Sequence, residues 1–361
     1  MTATPTKPSE LDATTRQFLD LMQDHYPMVE RPYAALGEQL GISEAEVLER
    51  LGQARAAGVV RQICAIYDTK ALGYSSALVA TQIAPEKLKR AVRILNAHPG
   101  VSHNYRRNHE FNIWFTVAMP PGVDLDAVIQ KLHVMTEAES TRPMPTLHLF
   151  KIAVTLDLAG TRDLDARSAP EYTEERRIEA KGHPITARDI AFIRATQNDM
   201  PDVAEPFAAL GAPLGMTSAE VIAYGQTMQE HGHLRRFAGI INHRQAGFRA
   251  NGMAVWNVPT DQIKEFGVFV AGYRGVSHCY QRPTYPDWPY SVFSMLHNAK
   301  VAGVEEAAAA ISAATGVTDF RVLYSTTEYK KIRLPYFVPE YDQWEALCTA
   351  AGAATGEETT S

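Results

Sequence analysis

The chain has 361 residues, 45% of them hydrophobic and 21% charged, and a formal net charge of −6. That composition fits a soluble globular protein of about two to four domains, and there is no run of about 18 apolar residues to cross a membrane. The acidic balance leans away from a nucleic-acid binder, which carries at least a local basic surplus. The scattered Cys64, Cys279 and Cys348 exclude a disulfide framework and a cysteine zinc site. They fit the reduced thiols of a cytoplasmic protein, and the polar N-terminus has no secretory h-region.

Taken in order, residues 14–25 place Phe18, Leu19 and Met22 at helical spacing. Residues 33–40 predict a second short helix closed by Gly41, and Ser43 with Glu46 caps a third as a capping box. Three short helices, a tight glycine turn and an extended pair predict a winged helix-turn-helix over 11–70. Residues 71–158 then alternate: strand 75–83, helix 85–97, strands 101–107 and 111–119, helix 125–137, strand 146–154. This is the ferredoxin-like βαββαβ order. Residues 159–184, dense in Asp, Glu and Arg without apolar period, predict a solvated linker. A second helix-turn-helix follows over 185–244, where Thr217 and Glu220 repeat the cap. Within 245–338 a second ferredoxin-like domain predicts strand 251–258, helix 260–271, strands 276–282 and 290–296, helix 301–314 and strand 318–325. Residues 339–361 form a tail, expected to be disordered from Ala350.

The second half repeats the first. Gly58-Val59-Val60-Arg61 recurs as Gly232-His233-Leu234-Arg235, and Gly73-Tyr74 as Gly247-Phe248. Gly100-Val101-Ser102-His103-Asn104-Tyr105 recurs as Gly275-Val276-Ser277-His278-Cys279-Tyr280, and Phe150-Lys151 as Tyr329-Lys330. The spacing grows at the end because copy two carries an insertion around 283–287. The fold class is therefore α+β: a tandem repeat of winged helix-turn-helix plus ferredoxin-like modules.

A DNA-reading helix sets Lys and Arg on phosphates. Residues 43–55 instead carry Glu44, Glu46 and Glu49 against Arg50 and Arg55, and 206–234 hold no Lys or Arg. These units are expected to be structural or dimerising, without DNA. The chemistry is expected on the strands. Alternation puts Val101, His103, Tyr105 and Arg107 on one face, and Val276, His278, Tyr280 and Arg282 on the matching one. Such a face suits an anionic ligand with a proton to receive: Arg grips carboxylate and His titrates near neutrality. The plainer reading, for one copy as good, is satisfied interface residues and a surface ion pair. Copy two adds Arg235, Arg236, His243, Arg244, Trp288, Tyr290, Tyr329, Lys330 and Lys331. Copy one keeps Arg61, Lys70, Arg107 and Lys151 at matching places but has Thr69 where copy two has His243. His25, His98, His133, His148 and His183 read as structural or surface residues, and His297 could serve either way. There is no phosphate loop, HExxH or GxSxG.

The architecture resembles the Lrp/AsnC regulators, and the motifs more specifically resemble the siroheme decarboxylases. The matching pieces are Leu234-Arg235-Arg236 with Gly239, Asn242-His243-Arg244, the run 247–253, Gly275 to Pro283, Trp288-Pro289-Tyr290 and Tyr329-Lys330-Lys331. The N-terminal copy matches the partner subunit through 101–106 and 147–152, so the chain is similar to the fused form of the haem d1 branch. The resemblance implies loss of the C12 and C18 acetate carboxyls of siroheme as CO₂, with no organic cofactor, no metal ligands and iron only inside the substrate. It further implies a homodimer through the αβ domains, a second decarboxylase pair as partner, and neither DNA nor membrane. By that resemblance His278 or His243 would supply the proton. Arg61, Arg107, Lys151, Arg235, Arg236, Arg244, Arg282, Lys330 and Lys331 would hold the carboxylate fringe, with His103, Tyr280, Trp288, Tyr290 and Tyr329 around the ring. The alternative readings are a ligand-sensing regulator and an inactive scaffold for a partner decarboxylase.

Overall fold

The computed structural model describes residues 11–24, 26–152, 180–241, 250–273, 275–298 and 300–354. Copy one runs α1 (Ala13–Asp24), α2 (Pro32–Leu40), α3 (Glu44–Ala56), β1 (Val60–Tyr67), β2 (Ser75–Gln82), α4 (Leu88–Ala97), β3 (Val101–Arg107), β4 (Ile113–Met119), α5 (Leu125–Thr136), β5 (Ser140–Met144) and β6 (His148–Ile152). Copy two runs α6 (Ala187–Thr196), α7 (Pro206–Gly211), α8 (Ser218–Glu230), β7 (Leu234–Ile241), β8 (Ala250–Trp256), α9 (Ile263–Ala271), β9 (Val276–Gln281), β10 (Val292–Asn298), α10 (Val301–Thr315), β11 (Phe320–Lys331) and α11 (Trp344–Ala353). The chain divides into two compact units, Met1–Gly73 with Thr155–Gly247 and Tyr74–Val154 with Phe248–Ser361. Each unit thus joins the like modules of the two copies rather than the unlike modules of one.

In the helical unit the caps act as their residue types dictate. Ser43 Oγ accepts the Glu46 N–H, but the expected box there is one-way because the Glu46 carboxylate accepts from Arg50, whereas Thr217 and Glu220 form the reciprocal box; Gly41 closes α2 at a φ of 69°. Phe18, Leu19 and Met22 are fully buried, as their spacing predicts. The wing differs from expectation. Each copy supplies one strand, and β1 pairs antiparallel with β7 of the other copy, Cys64 opposite Ala238. A lone strand cannot satisfy its own N–H and C=O groups, and the duplicate supplies the missing ladder.

The second unit is a nine-stranded sheet in the order β5-β2-β4-β3-β11-β8-β10-β9-β6. Each copy contributes a ferredoxin-like set of four strands, and each last strand runs on to pair with the other copy. Ser325–Lys331 of β11 lie beside β3, and β6 lies beside β9. Copy one was expected to end in one strand at 146–154. It ends instead in β5 and β6, separated by 145–147, where Pro145 cannot donate to a ladder. Copy two lacks that proline, and β11 runs unbroken from Phe320 to Lys331 instead of stopping at 325. β5 and β6 stand at the two ends of the strand order yet are consecutive in the chain, so the short link 145–147 ties one end of the sheet to the other. The αβ modules of the two copies therefore pair with each other within one chain.

Two layers of core result. In copy two, Trp256, Phe266, Val270, Val292, Val304 and Ile311 pack helices on the outer face. On the inner face, Ala80, Phe111, Trp114 and Met144 of copy one meet Met253, Val255, Trp288, Tyr290, Phe293 and Leu323 of copy two. Each such large apolar side chain contributes about 1.5–3 kcal/mol on burial. The insertion of copy two clasps β5: Arg142 forms a paired contact with Asp287 at 2.9 and 2.7 Å, and Tyr285 donates to the Pro143 carbonyl. Past Ala350, where disorder was expected, the described residues remain helical to Ala353. Its Trp344 ring lies 4.7 Å from His98, and Cys348 donates to the Ile94 carbonyl.

The repeated Gly-Val-Ser-His turn is strict in one copy only. A Cβ on Gly100 would run into the Ala118 carbonyl oxygen, whereas at Gly275 the nearest neighbour is His297 O at an ordinary 3.5 Å. Gly100→Ala should therefore lower stability by about 1–3 kcal/mol. Gly275→Ala should stay within about 0.5 kcal/mol. Urea midpoints of the two variants check the contrast.

Candidate functional site

The face predicted from alternation needs one correction. A β-bulge interrupts β9 between Val276 and His278, and another interrupts β3 between Val101 and His103. Val276 consequently joins the helix-side core, away from Tyr280 and Arg282. Bulges re-aim side chains in this way, and here one brings the consecutive Ser277 and His278 within hydrogen-bond reach of each other. The rest of the row holds: His278 and Tyr280 rings lie 6.0 Å apart, and Arg282 stands 4.9 Å over Tyr280 and 5.4 Å over Phe293.

Copy one repeats the arrangement. His103 and Tyr105 rings are 6.1 Å apart, and Arg107 stands 5.8 Å over Tyr105 and 5.9 Å over Trp114. Each arginine reaches a backbone carbonyl of the other copy's last strand: Arg107 donates to Leu323 O and Arg282 to Met144 O. Both are buried, 8% and 9% exposed, and neither pairs with a carboxylate among the described residues. Burial pushes both guanidiniums down to about 10, with the neighbouring Tyr105 or Tyr280 opposing. The expectation of a surface ion pair fails because both guanidiniums are buried and donate to backbone carbonyls.

The remaining residues divide. Lys151 donates to Tyr273 O at 3.0 Å, past the end of α9, and Lys330 to Asn96 O and His98 O at 2.7 and 3.0 Å, at the end of α4. These lysines tie the crossing strands to helix C-termini, where cations are favoured. Burial lowers both, Lys330 to about 8. Asn96 donates to the Tyr329 carbonyl. Lys331 lies opposite His103 across the β3–β11 ladder. Trp288, 0% exposed, and Tyr290 are spent in the inner core, stacked edge-on with each other at 5.1 Å, so neither offers an open face to a ring. Arg61 on β1 and Arg235 and Arg236 on β7 belong to the helical unit. His243 and Arg244 lie outside the described residues.

Sequence reading left three polar side chains of copy two unassigned. Ser277 Oγ lies 2.7 Å from His278 Nδ1 and 2.5 Å from His297 Nε2, and His297 Nδ1 lies 2.8 Å from Asn251 Oδ1. Burial, with the Lys331 ammonium adding to it, lowers the His297 pKa. In copy one, Ser102 keeps its contact to His103 Nδ1 at 3.0 Å. The Ser-His pair in both copies was a visible signal. His297 and Asn251 are far apart in sequence and meet only through the β8–β10 register.

The folded chain is thus a duplicated αβ ligand-binding architecture carrying a helix-turn-helix pair. Comparison with known proteins agrees. A model of the AsnC-like ligand binding domain matches residues 71–151 and 245–330, and one of the siroheme decarboxylase NirDL-like HTH domain matches 15–61 and 189–235. The chain is 35% identical over 329 residues to a siroheme decarboxylase of Hydrogenobacter thermophilus, covering 91% of this chain and 96% of that protein. A stretch of 143 residues is 41% identical to a siroheme decarboxylase beta subunit of Methanosarcina barkeri, covering 40% of this chain and 94% of that one. A crystal structure of the siroheme decarboxylase NirDL in co-complex with an iron-uroporphyrin III analogue superposes with a TM-score of 0.73 at 31% identity, over 94% of this chain and 99% of that one. The chain belongs to the siroheme decarboxylase family, in a fused single-chain form.

Proposed function

We propose that the chain removes the C12 and C18 acetate carboxyls of siroheme as CO₂, giving 12,18-didecarboxysiroheme, and that it does so without a resident cofactor. The observation that carries this reading is the pair of buried guanidiniums, Arg107 and Arg282, each ending a His-Tyr-Arg row without a carboxylate partner among the described residues. Buried charges are normally compensated, and a carboxylate-fringed macrocycle would bring the compensation with it. Loss of CO₂ breaks the bond between methylene and carboxyl carbon and leaves the electron pair on the methylene. A proton must then arrive there, and an imidazolium is a suited donor. His278 takes that role in this reading, with His243 the other candidate. Lys331, opposite His103 on the β3–β11 ladder, is assigned to a carboxylate of the ring.

The helix-turn-helix units are assigned a structural role without DNA. The two cations of α3 are already neutralised, Arg50 by Asp12 and Glu46 and Arg55 by Asp199 and Asp202, and α8 has none. Among the described residues no helix is long and apolar enough to cross a membrane. A cytoplasmic place follows the reduced cysteines. Association with a second copy or with another decarboxylase pair is part of this reading.

The test is anaerobic incubation with siroheme, read by mass for loss of two, one or no CO₂. The doubly decarboxylated product is expected, and unchanged siroheme would overturn the reading. Arg282→Met, similar in length but neutral, should weaken pigment binding by about 1.5–3 kcal/mol. Unaltered retention on gel filtration would remove Arg282 from the site.

A further inference from the structure

Four side chains of copy two form one hydrogen-bonded series, Asn251–His297–Ser277–His278, with links of 2.8, 2.5 and 2.7 Å. We propose that His297 is a positioning residue for proton delivery: through Ser277 it holds His278 in the tautomer that carries its hydrogen on Nδ1, which makes Nε2 the atom that gives the proton to substrate. Only the last clause rests on the decarboxylase reading.

The polarity of the series follows from its fixed end. The Asn251 carbonyl oxygen can only accept, so His297 Nδ1 donates to it. A neutral His297 then has a bare Nε2, which accepts the Ser277 hydroxyl hydrogen. That hydroxyl, its hydrogen spent, offers a lone pair to His278 Nδ1, which must carry the hydrogen. A charged His297 would reverse the serine and favour the opposite tautomer. The charged form is opposed by burial and by the Lys331 ammonium.

The balance is simple. When imidazolium His278 gives its Nε2 proton to the carbon that lost CO₂, the neutral ring left behind is the Nδ1–H form, which the series already favours. The backbone makes the array possible in two ways. The bulge sets adjacent Ser277 and His278 together, and the ladder sets His297 directly opposite Asn251. Copy one has the same bulge and Ser102–His103 contact, but Ala118 stands opposite Ser76 where copy two has His297 and Asn251. Ala118 N donates to Gly100 O just as His297 N donates to Gly275 O, which fixes the correspondence. The duplicates therefore differ in what orients their histidines.

The experiment uses the full chain labelled with ¹⁵N-histidine at about pH 8, where imidazoles are neutral. The His278 signals are identified by their loss in His278→Gln. Wild type should show a protonated Nδ1 and a bare Nε2. His297→Ala and Ser277→Ala should move His278 toward the Nε2–H form, while His297→Gln, which keeps an acceptor for Ser277, should not. Turnover of siroheme should fall roughly 10–100-fold in His297→Ala, the scale for losing the group that orients a working histidine. Bound pigment should be unchanged, and His297→Gln should recover to within a few-fold. An Nε2–H His278 in wild type, one tautomer in all the proteins, or undiminished turnover in His297→Ala overturns the proposal. Failure of the wild type to decarboxylate siroheme would instead sink the functional reading, and the tautomer would still decide the array.

Discussion

Replacing His278 by alanine should slow siroheme decarboxylation by about 10²–10⁴-fold while the pigment stays bound. His103→Ala should cost less. Both histidines stand beside a tyrosine and a buried arginine, and both touch the serine before them, so composition alone does not separate them. What separates them is the continuation beyond the serine, to His297 and Asn251 in copy two and to no further histidine at the matching position in copy one. The ladder partner differs as well: Lys331 is paired with His103, whereas position 152 is paired with His278. Lys331 suits a carboxylate anchor on the copy-one side. Product mass after a fixed incubation checks the division, with loss of two CO₂, one CO₂ and none resolved. An inactive His103→Ala beside a His278→Ala that turns over normally would place proton delivery in copy one.

Acid should weaken the αβ unit through His98, and His98→Asn should remove much of that sensitivity. His98 is fully buried at the end of α4, with the Trp344 ring 4.7 Å away. Its Nδ1 accepts the Gly100 N–H at 2.9 Å, and Lys330 donates to its carbonyl. Burial first, and the Lys330 ammonium second, push its pKa down from 6.5 to about 3. Between those values the unfolded chain binds a proton that the folded chain refuses. This part of the stability is fully present above about pH 6.5 and is lost as pH falls toward about 3. From pH 7 to 4.5 the loss is about 3 kcal/mol, two units at about 1.36 kcal/mol each. Asparagine keeps an acceptor for Gly100 and does not titrate. Urea unfolding of both proteins at the two pH values is the measurement, and equal losses would show that His98 is not the sensor.

The sequence by itself determined the duplication, the modules and their order. These rest on local signals: capping pairs Ser43/Glu46 and Thr217/Glu220, the buried stripe of Phe18, Leu19 and Met22, and strand alternation. It also determined the absence of cations from α8, and the recurring Ser-His-x-Tyr strand that carries the family resemblance. The tertiary structure alone decided how the copies combine, because pairing partners are chosen across long separations in the chain. Pro145 splits one crossing strand, while β11 stays whole and reaches β3. Strand pairing between the copies then set both arginines on backbone carbonyls, and placed Lys151 and Lys330 on helix ends. It also sank Trp288 and Tyr290 into the core. A strand pattern states which residues share a face, but a single bulged residue changes that face for everything before it. Only the register brought His297 and Asn251 to Ser277, because hydrogen bonds between strands depend on which residues lie opposite, and no local propensity encodes that.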